Sequence, residues 1–205
     1  MTIKDIIKEG RKTFSPLSLQ PMNCKRVLFL FSIILFPGLI QAQVNPERMN
    51  ADLLQKSVKA VLGTDHAVSW HRVAVPDSVH KTLRGQLKSK QQVADTLYIG
   101  KVSTNKGPRF VIPDIAPSRS EQFSYVLYVD QSKSIVGVDV LEYRENYGYE
   151  IDYPFFKKQF EGKQQADKII FGRTIQNISG ATISARSITY SIHDLLLILN
   201  HIQLP

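Results

Sequence analysis

Cysteine is nearly missing from this chain: its 205 residues include one, Cys24, which precedes the main apolar run. A chain cut after that run would hold none. This excludes a disulfide framework, a cysteine–zinc site and c-type haem attachment. A lipoprotein anchor does not fit either, because its cysteine would have to follow the run. Long apolar runs are also missing. The longest, Val27–Ile40, is shorter than the ~20 residues a spanning helix needs. Acidic charge is scarce, with 18 Asp and Glu against 26 Lys and Arg and a net charge of +8. Six basic residues against two acidic ones fall within residues 1–42, and the modest excess that remains is ordinary for solubility. No basic stripe is interleaved with aromatics, so nucleic-acid binding is not expected.

What the N-terminus does hold is the order of an export signal. Lys25-Arg26 precede the apolar run, Pro37-Gly38 break its end, and Gln41-Ala42-Gln43 follow. Residues 1–42 therefore read as a signal peptide or membrane anchor, with a cut expected after Ala42. Met22 is expected to begin a leader of conventional length. Residues 43–205 then form one domain, placed in the periplasm or on the outer face of the inner membrane. At 43% hydrophobic and 21% charged residues, the composition is globular and sufficient for a single core.

Asn45-Pro46 reads as a helix start, with Met49, Leu53, Leu54, Val58, Val61 and Leu62 at helical spacing and Gly63 as the stop. A second short helix is expected over Asp77–Leu87. Thr96–Ser103 is β-prone, and a short extended piece follows at Phe110–Ile112. Pro113 and Pro117 are read as bracketing a turn. Phe123–Val129 and Ile135–Tyr143, rich in β-branched and aromatic residues, form a hairpin about four polar residues. Phe155, Phe156 and Phe160 are an aromatic cluster at helical spacing. The last helix is expected over Ser184–Ile202, with Ile188, Ile192, Leu195, Leu199 and Ile202 as its buried stripe and Arg186, His193, Asp194 and Asn200 largely off it. The fold class is α+β, a short antiparallel sheet flanked by helices.

The stretch that can carry chemistry is Ile178-Ser179-Gly180-Ala181-Thr182-Ile183-Ser184. Small side chains let another molecule approach the backbone. A helix start offers free N–H groups and a positive dipole end. The plain reading of the same residues is a capped helix, with Ser179 or Thr182 as N-cap. Asp65, His66 and His71 fit no strong metal-ligand spacing, and Trp70 reads as a packing anchor.

Ser179-Gly180-Ala181-Thr182 resembles the flavinylation motif of the FMN-binding domain family, which includes the C subunit of the sodium-pumping NADH:quinone reductase and the G subunit of the Rnf complex. The strand Ile135–Val140 running into Glu145 and Gly148 resembles the family's Glu-x-x-Gly turn, and Phe156–Lys163 its linking segment. The likeness spans about residues 122–199. It implies FMN bound covalently to Thr182 through a phosphoester, with Ser179, Gly180, Ala181, Glu145, Tyr147, Gly148 and Arg186 as cofactor-binding residues. It also implies an electron-transfer role more than substrate turnover. Two partners are implied: a magnesium-dependent FAD:protein FMN transferase and a membrane redox protein. One departure matters: the family's acidic residue three positions before the serine is Gln176 here. The rival reading is therefore a flavin-free cell-envelope binding or assembly module of the same fold.

Overall fold

The computed structural model describes residues 45–89 and 93–205, so the expected leader, with Cys24, lies outside the described residues. Five strands follow one another as an antiparallel meander: β1 (Ser69–Ala74), β2 (Thr96–Thr104), β3 (Gly107–Pro117), β4 (Gln122–Asp130) and β5 (Ile135–Glu142). Alternation along β4 sets the two faces. Phe123, Tyr125, Leu127 and Val129 join the larger core, whereas Val126 and Tyr128 join the smaller one on the other side.

Helix α1 (Ala51–Leu62) covers the smaller core. Leu54 and Val58 are buried there, and Ser57 shares a 2.7 Å hydrogen bond with the Tyr128 hydroxyl. The expected helix start divides in two. Asn45 caps only a 3-10 turn, Pro46–Arg48, and the helix itself is capped by Asn50, whose side chain accepts from Asp52 N and Leu53 N. Gly63 ends it at φ 67°, a left-handed position open to glycine. Helix α2 (Asp77–Leu83), four residues shorter than expected, adds Val79 and Leu83 to the larger core.

Two expectations for the sheet are corrected. Ser69–Ala74, to which the sequence pattern assigns no element, is strand β1. It shows no alternating apolar signal because its one large anchor, Trp70, packs over the bare backbone of Gly100: a Cβ there would lie 3.0 Å from the indole. Pro113 and Pro117 do not bracket a turn but lie within β3. The pairing of β3 with β2 ends at Val111, while its pairing with β4 continues to Pro117. Both prolines thus lie beyond the register with β2, where a missing N–H removes no bond of that ladder.

After β5 come a 3-10 turn (Tyr149–Asp152), the one-turn helix α3 (Pro154–Lys157) and a second 3-10 turn carrying Phe160. Phe156 and Phe160 meet edge to face at 5.4 Å, fully buried. The expected aromatic cluster is thus a core element, and Phe155 alone of the three faces solvent. Lys157 ties this segment to β5 through a 2.7 Å bond to Asp139, and braces the segment itself through another, also 2.7 Å, to Asp152.

Helix α4 (Thr182–His201) crosses the other face of the sheet with Ile188, Ile192, Leu195, Leu199 and Ile202 buried. Each such side chain contributes roughly 1.5–3 kcal/mol on burial. His193 and Asp194, expected off the stripe, are buried as well. The connection after α2 folds over them: Asp194 accepts from Lys88 N (2.9 Å), Ser89 N (2.8 Å) and the Ser89 hydroxyl, and it meets His193 Nδ1 at 2.8 Å.

Candidate flavin site

Helix α4 begins at Thr182, preceded by a glycine turn. Gly180 has φ 88°, and Ala181 occupies the N-cap with no side-chain hydrogen bond to the first turn. The expected cap by Ser179 or Thr182 is therefore absent. The first-turn amides have no side-chain acceptor, and the Thr182 hydroxyl is not spent on them. Instead Thr182 Oγ1 accepts from Asn177 Nδ2 at 3.1 Å and points its proton back to Ile178 O at 3.4 Å. Asn177 in turn accepts from Ile178 N at 2.8 Å, so a single side chain braces the loop and fixes the threonine. Asn177 was missed by sequence reading, although an Asx residue just before a helix is a usual source of such local bonds.

A groove of about 250 Å³ opens at this helix start. One wall is Gly180, Ala181, Thr182, Ile183 and Ser184; the other is Arg119, Tyr143, Glu145, Tyr147 and Gly148. Of the residues singled out from sequence, Thr182, Gly180, Ala181, Glu145, Tyr147 and Gly148 thus line one groove. Ser179 is exposed in the preceding turn, and Arg186 stands outside the lining with its guanidinium 5.2 Å above the Phe171 ring. A larger depression, about 440 Å³, lies between Ser120–Ser124 and Glu142–Arg144 and contains none of the motif residues.

The two walls are tied together by Tyr143. Its phenol donates to Tyr147 O at 2.8 Å, so the 2.9 Å contact with Ser184 is one in which the serine hydroxyl donates. Burial pushes the Tyr143 phenol up, with Glu145 and Glu150 adding to the shift and Ser184 opposing it. Gly148, at φ 88°, lies close under this phenol. A Cβ there would come within 2.5 Å of the Tyr143 oxygen and 3.6 Å of Ala181 Cα. Only glycine permits both the turn and the approach of the walls.

Glu145 lines the groove, but its carboxylate is engaged elsewhere. It accepts from the Ser118 hydroxyl, from Ser120 N at 2.7 Å and from Glu121 N at 3.1 Å. These bonds, led by that of Ser118, hold its carboxyl below the usual glutamate range. The bond set organises the turn between β3 and β4, which brings Arg119 to the groove. No sequence signal connects Arg119 to a motif so far along the chain; only the sheet does.

The arrangement fits a flavin nucleotide. A phosphate on Thr182 would meet the free amides of the α4 first turn and the Arg119 charge. Tyr147 (79% exposed) and Ile183 (54% exposed) stand at the groove with apolar surface to offer a ring. Beside Gly180 lies the Glu150 carboxylate, whose Oε2 is buried without a hydrogen-bond partner. Elsewhere, His66 Nδ1 bonds to Ser103 O at 2.8 Å, His71 pairs with the Ser69 hydroxyl, and Asp65 pairs with Lys59.

Residues 120–197 match the FMN-binding domain family model. Among solved structures, the chain is similar to NqrC of Shewanella oneidensis, with 16% identity and a TM-score of 0.52 over 71% of this chain and 91% of that one. It is also similar to the C component of the Na⁺-translocating NADH-quinone reductase from Parabacteroides distasonis, at 13% identity and a TM-score of 0.44 over 70% and 85%. The first of these shares the fold. No curated protein matches.

Proposed function

Because residues 120–197 match the FMN-binding domain family, we propose that this chain is an exported flavoprotein carrying FMN on Thr182 Oγ1 through a phosphoester. It relays electrons between a membrane redox protein and another carrier outside the cytoplasm. The observation that carries this reading is the position of Thr182: a hydroxyl free of capping duty, on the wall of a groove, at an open helix start. A flavin held there supplies one- and two-electron redox chemistry. Thr182 would anchor it, the α4 amides and Arg119 would hold its phosphate, and Tyr147 and Ile183 would offer apolar surface to its ring.

Thr182 does not activate itself. Among the described residues its hydroxyl bonds only to an amide nitrogen and a carbonyl oxygen, with neither a carboxylate nor an imidazole in reach to take its proton. The base and the FMN donor must come from a partner, an FAD:protein FMN transferase. In that step the Thr182 O–H gives way to an O–P bond, the pyrophosphate of FAD breaks, and AMP leaves with release of the proton. Gly180 and the exposed Ser179 let such an enzyme reach the hydroxyl. Gln176, where the resembling family has an acid, is exposed, with its N–H held by Gln159 Oε1 at 2.6 Å. Its exposure outside the groove supports a contact with the modifying enzyme there.

Export rests on residues 1–42. Among the described residues no helix is long and apolar enough to cross a membrane. The test is coexpression of the full chain with an FAD:protein FMN transferase, read by denaturing gel under ultraviolet light and by intact mass. A fluorescent wild-type band that Thr182→Ala abolishes supports the proposal. Two dark bands sink it and favour the flavin-free envelope module. In that event Gln176→Asp is the variant to examine, since recovered fluorescence would trace the loss to that one position.

A further inference from the structure

Arg186, which the family resemblance implies as a cofactor-binding residue, is stacked on Phe171 outside the groove. The groove contains a different cation. Arg119 is the one Lys or Arg in its lining, and among the described residues no carboxylate pairs with its guanidinium. The same groove is lined by Thr182 and the uncapped first turn of α4. A long side chain on an open turn would spread its charge over many positions. This turn is not open: the Glu145 carboxylate holds it through the Ser118 hydroxyl and the backbone N–H groups of Ser120 and Glu121, with Arg119 N contributing. The turn is closed again on itself by Ser118, whose backbone N–H donates to Glu121 O at 2.9 Å. Pro117, which leads into it, is tied to α4 by the Ser187 hydroxyl. The Arg119 backbone is therefore fixed relative to the helix that carries Thr182.

We propose that Arg119 is the counter-charge of the phosphodiester on Thr182, and that Glu145 is a positioning residue that acts through Arg119 and does not touch the flavin. This rests on the flavin reading of the groove. The chemistry is that of a guanidinium with a phosphate monoanion: a planar fork offers two N–H groups to two non-bridging oxygens, strengthened by charge. The Glu145 carboxylate, by contrast, would repel a phosphodiester unless its own charge were occupied, and the turn's N–H groups and the Ser118 hydroxyl occupy it.

The test uses the full chain coexpressed with the transferase. The flavinylated form is separated from the unmodified form, and the melting temperature of each is recorded at low and high NaCl. In the wild type the phosphate–guanidinium pair makes the flavinylated form melt higher, and salt erodes that difference. Arg119→Gln is expected to lose most of the difference and its salt response, while Arg119→Lys keeps part of both. Glu145→Gln lowers the melting point of both forms, and it also removes most of the flavin-dependent difference. In the Arg119→Gln background it removes nothing further from that difference, the non-additivity expected of two residues acting on one contact. The proposal is overturned if flavinylated Arg119→Gln keeps the wild-type difference and salt response. It is equally overturned if Arg119→Gln folds but carries no flavin, which would assign Arg119 to the transferase. A wild type without flavin mass sinks the function proposed above and this inference with it, and so the two failures are distinguishable.

Discussion

At its first turn α4 presents Thr182 and Ile183 to the groove, while Ser184 and Ala185 are already buried. Ala181 caps nothing, Ile183 is 54% exposed, and the neighbouring loop is braced by one asparagine side chain. Two turns further along, the same helix is sealed: Ile188, Thr189, Ile192 and Leu196 are at most 1% exposed, and Asp194 is pinned by the chain that follows α2. The difference shows how this fold separates tasks. Stability comes from the apolar length of the helix against the sheet, while its first turn leaves backbone groups free of side-chain caps at the groove.

The sharpest way to break that comparison is a pair of substitutions at the two ends. Thr182→Ala is expected to abolish covalent flavin while changing unfolding free energy by less than about 0.5 kcal/mol. Ile192→Ala should cost about 2–5 kcal/mol and leave flavin loading of the folded fraction unchanged. Urea unfolding with flavin mass on the same samples measures both. If Ile192→Ala loses flavin at full foldedness, the two ends are coupled and the separation is wrong.

Next in size is Asp194→Ala, which strips the acceptor from Lys88 N, Ser89 N and the Ser89 hydroxyl. Leaving these partly buried donors unmatched costs about 1 kcal/mol or more. Hydrogen exchange should show the loss at residues 88–89, with the groove unaffected. Gly148→Ala tests the open end in the same terms. Its φ of 88° and the 2.5 Å approach to the Tyr143 oxygen should make it cost about 1–2 kcal/mol. Here, however, the damage should be local: the Tyr143–Ser184 bridge parts and flavin attachment slows, although the melting point moves only by a few degrees. A loss of stability with attachment intact would show that the two walls need not be joined.

The sealed half of the molecule was the more legible in sequence. The 4, 3, 4, 3 stepping of Ile188, Ile192, Leu195, Leu199 and Ile202 and the hairpin of β4 and β5 repeat one physical period over many residues, and chance rarely does that. β1 escaped because one tryptophan on a glycine does the work of an alternating pattern, and β3 because its prolines fall beyond its pairing with β2, which only the register reveals. At the open end, Thr182 and its glycines were found by motif and Gly148 by the turn after β5. Arg119 was not, since a turn arginine acquires meaning only from what lies across the groove. Nor was the role of Glu145, whose partners lie across the β3–β4 turn and are chosen by tertiary position, not by spacing along the chain.

The two ends also differ in how they respond to acid, and this is the smallest effect expected. Near the open end, Glu145 has a lowered carboxyl in the folded state, chiefly through Ser118 and the turn N–H groups. Its contribution to stability is therefore complete above the ordinary glutamate value of 4.5 and is lost as pH falls from there through the folded value. At the closed end, Asp114 accepts from Ser191 Oγ at 2.6 Å and from Tyr125 OH at 2.8 Å, yet burial pushes its carboxyl up against those bonds, with Asp194 adding to the rise. Its sign is opposite: the folded state is favoured most below the ordinary aspartate value of 3.8, and that benefit is lost as pH rises through the folded value. Urea midpoints between pH 3 and pH 7 should thus lose part of their acid-side fall in Glu145→Gln. In Asp114→Asn they should lose part of the decline that accompanies rising pH, while the amide oxygen still accepts from Ser191 and Tyr125. An Asp114→Asn protein that is less stable than wild type at pH 7 would mean that the charge itself is used at that end, in hydrogen bonds worth more than the cost of burying it, and the closed half would then be polar by design and not merely sealed.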